Sequence, residues 1–405
     1  MYTKIHKKYY DLTGFDHPGG MVALSLASGR DATELFELHH QFSDKARVAA
    51  ILQKFEVKES SVIEDNNVYD WEKTLSSPFT KELKDMARNV IGNDIKASYK
   101  RFGEYGVLFI ILLLQIVFFV KGYWVSAISY PVMLWVFSAN VFHDATHFAI
   151  SRHWRLNSLC TNAGFMLATP YHWYHQHTIG HHSFPNIIGK DPDLYHTPEA
   201  IRHAPDVPLS PAHKLQHIVF LVEQMISIPA YYLLGGSIFC ILRYPYNGVV
   251  PLSSTWYLNT ISILPRLLMY MILMHILPVM VHGLTIKGAV FSFLPEFIYA
   301  GCFTICSQIN HLVPEATEKF DSNFFIHQVI TSHNVNTSNY LTTVFTGGLN
   351  LQIEHHLFPS VNHCHLHALV PHVKELCKKY NVNYPESPSM WEALQKHVDH
   401  LYDMG

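Results

Sequence analysis

The stretch Phe345–Pro359, FTGGLNLQIEHHLFP, does most to decide the fold class and the function of this chain. It places two adjacent histidines three and four residues after a glutamine. On a helix, Gln352 would share a face with His355 and His356. Imidazole is a common ligand of transition metals, whereas a glutamine amide is a poor one. The stretch therefore predicts part of a metal site, with Gln352 binding weakly or through water.

An earlier pair of histidines, His143 and His147, stands at the end of an apolar segment. The spacing of four residues puts both rings on one face of a helix, as metal-binding helices require. Asp144 lies between them and is a candidate hydrogen-bond acceptor for one of the rings. Such a pair alone is weak evidence for a metal site.

A second cluster, HTIGHH at 177–182, has three histidines within six residues and is followed by Asp191-Pro192-Asp193. The alternative to a metal site here is a solvated loop. His311 is expected where the last apolar segment leaves the membrane, on the same side as the other histidine clusters. A lone histidine is more often structural, so His311 is a candidate additional ligand.

Together these histidines exceed what one metal ion needs. One zinc takes only three or four ligands, whereas eight or nine donors suit two ions. A site rich in imidazole and poor in carboxylates favours redox iron over magnesium or calcium. The predicted catalytic and iron-binding residues are His143, His147, His177, His181, His182, His355 and His356, with His311 and Gln352 as further metal ligands.

The composition is that of a membrane protein. Of the 405 residues, 49% are hydrophobic and 15% are charged, against about 25% charged in soluble proteins. The 29 histidines equal the 29 lysines and arginines. A net charge of -3 argues against a nucleic-acid partner. Because about 20 apolar residues cross a bilayer, four spans are predicted at 105–120, 123–142, 262–281 and 288–307.

The histidine clusters restrict the topology. Residues 218–242 are apolar enough for a fifth span, but that span would put the third cluster across the membrane from the first two. We therefore expect this segment to be interfacial or re-entrant. A charged helix is expected from Phe79 to Arg101, leading into the first span. Glu296, inside the last span, should face the interior of the bundle.

The N-terminal residues, 1–57, are predicted to form a small soluble unit, joined by a linker at 58–78 to a membrane domain at 79–405. A strand and turn at Tyr9–Phe15 lead to His17-Pro18-Gly19-Gly20. Asp31–Glu34, DATE, is typical of a helix N-cap with a capping-box glutamate. That helix would end at His39-His40. Two histidines on separate helices can form a bis-imidazole haem site, which suits electron transfer.

Two resemblances follow from these motifs. Tyr10–His40 resembles the cytochrome b5 family, although the chain begins almost at that family's Tyr-Asp-Leu strand. From about Tyr105 to the end, the three histidine boxes resemble the front-end fatty acid desaturases, including the glutamine in the third box. The resemblance implies an all-α multi-pass membrane domain with interfacial helices and a cytosolic di-iron cap, plus a small α+β cytochrome b5-like domain. It also implies His17 and His40 as axial ligands of haem b, and two Fe ions held by the box histidines, His311 and Gln352.

The implied activity is O₂-dependent insertion of a cis double bond between the carboxyl end and an existing double bond of a polyunsaturated chain. The form of the second box is most similar to Δ5 and Δ4 enzymes. The implied partners are an acyl-CoA or acyl-phospholipid substrate, NADH-cytochrome b5 reductase and the endoplasmic reticulum membrane, with both domains facing the cytosol. The alternatives are a Δ6 or Δ8 fatty-acyl enzyme, a sphingolipid Δ8 desaturase, a hydroxylase, and a non-enzymatic haem-bearing electron carrier.

Overall fold

The computed structural model describes residues 1–58, 63, 68–242, 244, 247, 249–252, 256–317 and 319–405. Helices dominate these residues, and the short strands form one three-stranded sheet near the N-terminus and one pair near the C-terminus. The predicted fold class, a helical membrane domain with a small α+β domain before it, is confirmed.

The N-terminal unit is built around its small sheet. Its elements are β1 (Tyr2–Ile5), β2 (Lys8–Asp11), α1 (Gly20–Ala27), α2 (Thr33–His39), α3 (Lys45–Phe55) and β3 (Glu56–Val57). β2 lies in the middle and pairs antiparallel with both neighbours. Ile5, Tyr10, Leu12 and Leu24 form the buried core beneath it. The sheet and core hold α1 and α2 in place, and α2 carries the predicted haem histidine at its end.

The start of α2 differs in detail from the predicted capping box. The helix begins at Thr33, whose backbone N–H donates to Asp31 Oδ1 at 3.1 Å. Glu34 does not close a box, because its carboxylate accepts a hydrogen bond from Trp71 Nε1 at 3.4 Å. Burial raises the pKa of Glu34 to about 8. Glu34 therefore connects the N-terminal unit to the segment that follows it.

The predicted linker is only partly described, because residues 59–62 and 64–67 lie outside the described residues. Its last part is packed: Tyr69 and Trp71 are buried, and α4 (Trp71–Ser76) is followed directly by α5 (Pro78–Ile91). The prediction of one charged helix from Phe79 to Arg101 was wrong. α5 ends where Gly92 adopts a φ of +74°, a left-handed conformation that favours glycine.

The membrane domain follows as a bundle of long helices. Its helices are α6 (Tyr99–Val120), α7 (Ser126–Thr146), α8 (Trp154–Cys160), α9 (Pro170–Trp173), α10 (Gln216–Ser227), α11 (Gly236–Leu242), α12 (Trp256–Met271), α13 (Leu277–His282) and α14 (Ile286–Gln308). α6 starts at the N-cap Ser98 and packs along α7, and α7 packs along α14. π-helices lie at Tyr174–His181, Ile228–Gly235 and Ile272–Ile276.

Four continuous helical segments among the described residues are long and apolar enough to cross a membrane: Tyr99–Val120, Pro211–Leu242, Ile263–His282 and Ile286–Gln308. Pro211–Leu242 includes α10 and α11, and Ile263–His282 joins the end of α12 to α13. Three of them overlap predicted spans. Most of the second predicted span, 123–142, lies in α7, which is not one of these four segments. Serines, Asn140 and His143 lower the mean hydropathy of α7, and most of its C-terminal half is buried against other helices. A bundle-central helix needs fewer apolar residues than one that faces lipid.

The segment from Pro211 to Asn247 starts and ends on the same side of the bundle. Gln216 Nε2 donates to Leu401 O at 2.7 Å, and Asn247 Nδ2 donates to Pro192 O at 2.9 Å. Both acceptors belong to the histidine-bearing side of the molecule. This arrangement supports an interfacial or re-entrant segment, which stays a prediction. Residues 243, 245, 246 and 248 within it are not described.

Glu296 is buried within α14, next to the helix-interior Pro295. Its Oε1 accepts a hydrogen bond from Tyr270 OH at 2.7 Å and lies 3.0 Å from His275 Nε2. The carboxylate therefore faces the interior of the bundle, as predicted, where polar partners compensate for its burial.

A layer of shorter segments, 147–215 and 309–405, covers one end of the bundle, and we call it the cap. Its elements after α14 are α15 (Pro314–Thr317), α16 (Phe324–Ile330), β4 (Asn334–Val335), α17 (Tyr340–Thr346), α18 (Gln352–Leu357), α19 (His363–Tyr380), β5 (Glu386–Ser387) and α20 (Met390–Met404). β4 and β5 form a parallel pair. α19 packs against α5, so the segment after the N-terminal unit is part of the same core.

Acidification is expected to loosen α20. Burial lowers the pKa of His397 and His400 to about 4, against about 6.5 in an unfolded chain. Between these values the unfolded state binds more protons, so the free energy of unfolding falls as the pH drops below about 6.5. The loss is about 1.4 kcal/mol per histidine one pH unit lower.

Hydrogen exchange of α20 at about pH 7.5 and 5.5, corrected for the intrinsic pH dependence of exchange, measures this loss of stability. We expect weaker protection at the lower pH and a smaller difference in the variant His397→Gln/His400→Gln. Equal protection at both pH values in the parent protein would contradict this explanation.

Candidate metal centre

The predicted iron ligands come from four separate segments. His143 lies in the last turn of α7 and His147 is its C-cap residue, and the spacing of four residues gives them a common face. The second cluster lies in and directly after the π-helix Tyr174–His181. His311 follows α14, and the third cluster lies on α18. All nine predicted residues, including Gln352, are buried.

The π-helix explains the spacing of the second cluster. Hydrogen bonds from residue i to i+5 widen the helix, so residues five apart come to lie on one face. His177 Nε2 and His182 Nε2 are 3.2 Å apart. In an ordinary α-helix these two side chains would point in different directions. π-helical turns occur frequently at functional sites.

Gly347, in the stretch Phe345–Pro359, positions the third cluster. It ends α17 with a φ of +63°. A Cβ at this position would lie 2.3 Å from Ala139 O of α7. Only glycine permits both the left-handed turn and the close approach of the two backbones. The approach brings α18 beside the end of α7, so His355 and His143 have ring centroids 4.5 Å apart.

The histidines form two adjacent groups of possible ligands. In each group the ligand atoms lie within 4.8 Å of one another. The first group is His143, His147, His177 and His355, and the second is His181, His311 and His356. Two groups of three or four imidazoles match the predicted donor set for two metal ions.

His182 and Gln352 complete these groups. His182 Nε2 lies 3.1 Å from His355 Nε2, and its ring stacks on His356 at 4.2 Å. His182 therefore lies between the two groups. The Gln352 side-chain amide lies 2.7 Å from His311 Nε2, at the edge of the second group. This position agrees with a weak or water-mediated contribution from Gln352.

Several rings are oriented by acceptors at Nδ1. His311 Nδ1 donates to Thr331 O at 2.8 Å, and His356 Nδ1 donates to Gln328 Oε1 at 2.8 Å. His181 Nδ1 lies 3.1 Å from Asp191 Oδ2. A proton held at Nδ1 leaves the lone pair at Nε2 available for a metal ion.

The protonation of the cluster also suits metal binding. Burial, together with repulsion between neighbouring imidazoles, lowers the pKa of His147, His177, His355 and His356 well below the usual value. These rings are therefore neutral at pH 7. At His181 burial alone would lower the pKa, but Asp191 and Asp193 raise it to about 9. The two carboxylates stabilise positive charge at this edge of the cluster, as they would for a bound cation.

Asp144 does not orient a box histidine, so this prediction was wrong. Its Oδ2 accepts hydrogen bonds from Tyr105 OH at 3.0 Å and from Asn362 Nδ2 at 2.8 Å, and it lies 2.7 Å from His363 Nδ1. Asp144 points away from the cluster because successive side chains on an α-helix are rotated by about 100°, which takes it off the face that His143 and His147 share. It holds α7 against α6 and α19.

Three residues that orient ligands were not predicted from the sequence: Asp191, Gln328 and Thr331. Asp191 stands in the Asp-Pro-Asp motif after the second cluster, so its position was a usable signal. Gln328 lies in α16 and Thr331 directly follows that helix, and no local sequence pattern distinguishes either residue. Only the packing of α16 against α18 brings Gln328 to His356.

Replacing Asp191 by asparagine is expected to weaken metal binding and activity by about 10- to 100-fold. The amide removes the negative charge beside His181 and permits the wrong ring orientation. Iron content after gel filtration and product formation measure the two effects. Asp85→Asn, at an exposed position on α5, is the matched control. Normal iron content in Asp191→Asn would show that Asp191 does not support the site.

The N-terminal unit contains the predicted haem pair. His17 and His40 have ring centroids 5.9 Å apart, close to the separation of about 6 Å expected for rings whose nitrogens bind one ion at about 2 Å each. His40 Nδ1 donates to Phe36 O at 3.0 Å, and Phe36 stacks on the His40 ring at 4.4 Å. The His39 ring instead approaches Phe148. The pair fits an axial ligand set for haem, with His40 rather than His39.

The fold and these two sites define a class of protein: a helical membrane protein with a buried polyhistidine metal centre and a fused haem-type unit. The fatty acid desaturase family model matches residues 120–388, and the model of the cytochrome b5-like haem/steroid binding domain matches residues 1–92. The chain belongs to the fatty acid desaturase family and carries an N-terminal cytochrome b5-like domain. It is an oxidoreductase of the desaturase type, as predicted.

Similar proteins align over nearly the whole chain. Delta(5) fatty acid desaturase A of Dictyostelium discoideum is 30% identical over 98% of this chain and 89% of its own length. The acyl-lipid (8-3)-desaturase of Mortierella alpina is 27% identical over 100% of this chain and 94% of its own length. The acyl-lipid omega-13 desaturase of Chlamydomonas reinhardtii is 26% identical, with 99% and 93% covered. Both parts of the predicted resemblance are confirmed.

Proposed function

We propose that this protein is a front-end desaturase that inserts a cis double bond at C5 of a polyunsaturated fatty acyl chain. The observation that carries the proposal is the buried double group of imidazoles beneath a docked cytochrome b5-like domain. The choice of C5 rests on relatives named Delta(5) desaturases.

The two groups would hold two iron ions. His143, His147, His177 and His355 would bind one ion, and His181, His311 and His356 the other, with His182 between them and Gln352 at the edge. When bound, the irons would supply the activation of O₂ and the removal of hydrogen from two adjacent methylenes. The protein's part is to present the imidazoles in a fixed geometry.

Aromatic side chains form the bundle-facing wall of the centre. The Trp173 ring lies 4.5 Å from His177, and Phe142 and Phe303 lie 5.3 and 6.2 Å from Trp173. An acyl chain that enters from the bundle would contact these rings. The wall would hold one C–C bond against the irons and exclude water from the reaction.

The domain arrangement supports an electron supply within the chain. Residues 1–57 would form the haem domain, with His17 and His40 as axial ligands, and 79–405 the desaturase domain. An NADH-dependent cytochrome b5 reductase would reduce the haem. We place the protein in the endoplasmic reticulum membrane with the cap and the haem domain in the cytosol, where the acyl-CoA or phospholipid substrate is available.

Product analysis in yeast tests this function. Cells expressing the chain would be fed polyunsaturated acids that differ in the position of the first double bond, and mass spectrometry would locate each new bond. We expect a new bond at C5, on the carboxyl side of the existing ones. A new bond at C6 or C8, a sphingoid-base product or a hydroxylated product would each overturn the proposed reaction in favour of that alternative.

A further inference from the structure

The cytochrome b5-like domain lies against the cap along α2. Leu38 is fully buried in a core cluster that otherwise belongs to α4, α5 and the cap. Lys84 Nζ lies 2.8 Å from Glu37 Oε2, and Arg88 Nη2 donates to Gln41 O at 2.6 Å. At the opposite end of the contact, Arg30 Nη2 donates to Pro251 O at 2.8 Å. The helix that ends at the haem-ligand candidate is thus fixed to the desaturase domain.

The residue before His40 contacts the residue after an iron-ligand candidate. The His39 and Phe148 rings meet edge to face, with centroids 6.1 Å apart, and Phe148 directly follows His147. Phe148 adopts a φ of +57°, an unusual conformation for a bulky residue. Its carbonyl accepts a hydrogen bond from the half-buried Lys96 Nζ at 2.9 Å. The neighbouring structure therefore holds Phe148 against His39 despite the backbone strain.

The residue after His40 makes the corresponding contact on the other side. Gln41 Nε2 donates to Leu357 O at 2.6 Å, and Leu357 directly follows His356. Next to it, Phe42 and Phe358 have ring centroids 6.1 Å apart. Each residue flanking His40 thus contacts a residue that flanks one of the two groups of imidazoles.

We propose that His39 and Gln41 are positioning residues for electron transfer: their contacts with Phe148 and Leu357 hold the His40 end of α2 against the cap. The proposal rests on the proposed function and on haem binding by His17 and His40. Each transfer would carry one electron from the reduced haem, when bound, to a ferric ion held by the cap histidines. Two such electrons, two electrons from the substrate and four protons convert one O₂ to two waters. The reductase replaces the electrons on the haem.

The variant His39→Ala/Gln41→Ala tests the proposal in the full-length holoenzyme. Its control is Gln53→Ala, at an exposed position on α3 that is remote from α2's contact with the cap. Reduced haem would be mixed with O₂ and substrate, and its reoxidation followed by absorbance. Because the variant leaves the buried Leu357 carbonyl without its side-chain donor, we expect reoxidation about tenfold slower. The haem spectrum and the KM for the acyl substrate should stay unchanged.

A second readout needs no activity. Lys7 of the haem domain forms a salt bridge with Glu72 of α4, and both side chains are 82% exposed. α4 in turn packs against α16 of the cap. A zero-length carbodiimide cross-link between them, quantified by peptide mass spectrometry, reports docking. We expect a lower yield in His39→Ala/Gln41→Ala and the parental yield in Gln53→Ala. Parental reoxidation in His39→Ala/Gln41→Ala, with or without a change in cross-linking, overturns the proposal. Absence of product in the parent instead overturns the proposed function.

Discussion

Replacing His355 by alanine is expected to abolish desaturation, with product formation reduced by more than about 100-fold. Loss of a mere outer partner of a metal ligand already costs 10- to 100-fold, and His355 belongs to the first group of imidazoles. Its Nε2 lies 3.1 Å from His182 Nε2, and its ring lies 4.5 Å from that of His143. Removing the ring also leaves a buried gap where α18 meets α7. Product yield per unit of expressed protein is the measurement.

His372→Ala is the matched control, since His372 is exposed on α19. We expect it to retain parental activity. Haem absorbance together with a single gel-filtration peak reports whether His355→Ala folds. If folded His355→Ala kept more than about a tenth of the parental activity, the polyhistidine site would not be the reaction centre.

Replacing His40 by alanine is expected to remove the bis-imidazole haem spectrum, while His39→Ala should keep it. His40 faces His17, whereas the His39 ring approaches Phe148. Without its second axial ligand the haem loses the closed coordination that suits electron transfer. In a host without its own cytochrome b5, we expect His40→Ala to retain less than about a tenth of the parental activity. Absorption spectra of the purified variants and product analysis measure the two effects.

The two variants control for each other, because they replace neighbouring histidines at the same end of α2. A haem spectrum lost in His39→Ala and retained in His40→Ala would assign the axial ligand to His39. Activity retained by a haem-free His40→Ala variant would show that electrons reach the iron site by another route.

Local sequence patterns account for part of the candidate metal centre, whose ligands stay a prediction. The spacings at His143–His147 and Gln352–His356 place side chains on one face of a regular helix, so the sequence determines their direction. The second cluster needed a π-helix to bring His177 and His182 together, and the sequence gives no simple signal for that turn. The resemblance to a known family compensated for this gap.

Other features depend on packing between distant segments. The role of Gln328 arises only when α16 meets α18, and Asp144 turns away from the cluster toward Tyr105 and Asn362. Hydropathy distinguishes poorly between α7, which is buried in the bundle, and Pro211–Leu242, which is more apolar but starts and ends at the cap. The docking of α2 on the cap has no sequence pattern at all, because it joins residues more than 300 positions apart.

Non-haem iron per chain in the purified protein, counted beside an independent haem determination, decides whether the buried histidines hold a di-iron centre. The two groups of imidazoles predict about two non-haem irons per chain, in addition to one haem. Haem iron alone, in protein that is folded and purified without chelators, would contradict the di-iron centre. The chain would then be a haem-bearing membrane electron carrier with unused histidine boxes.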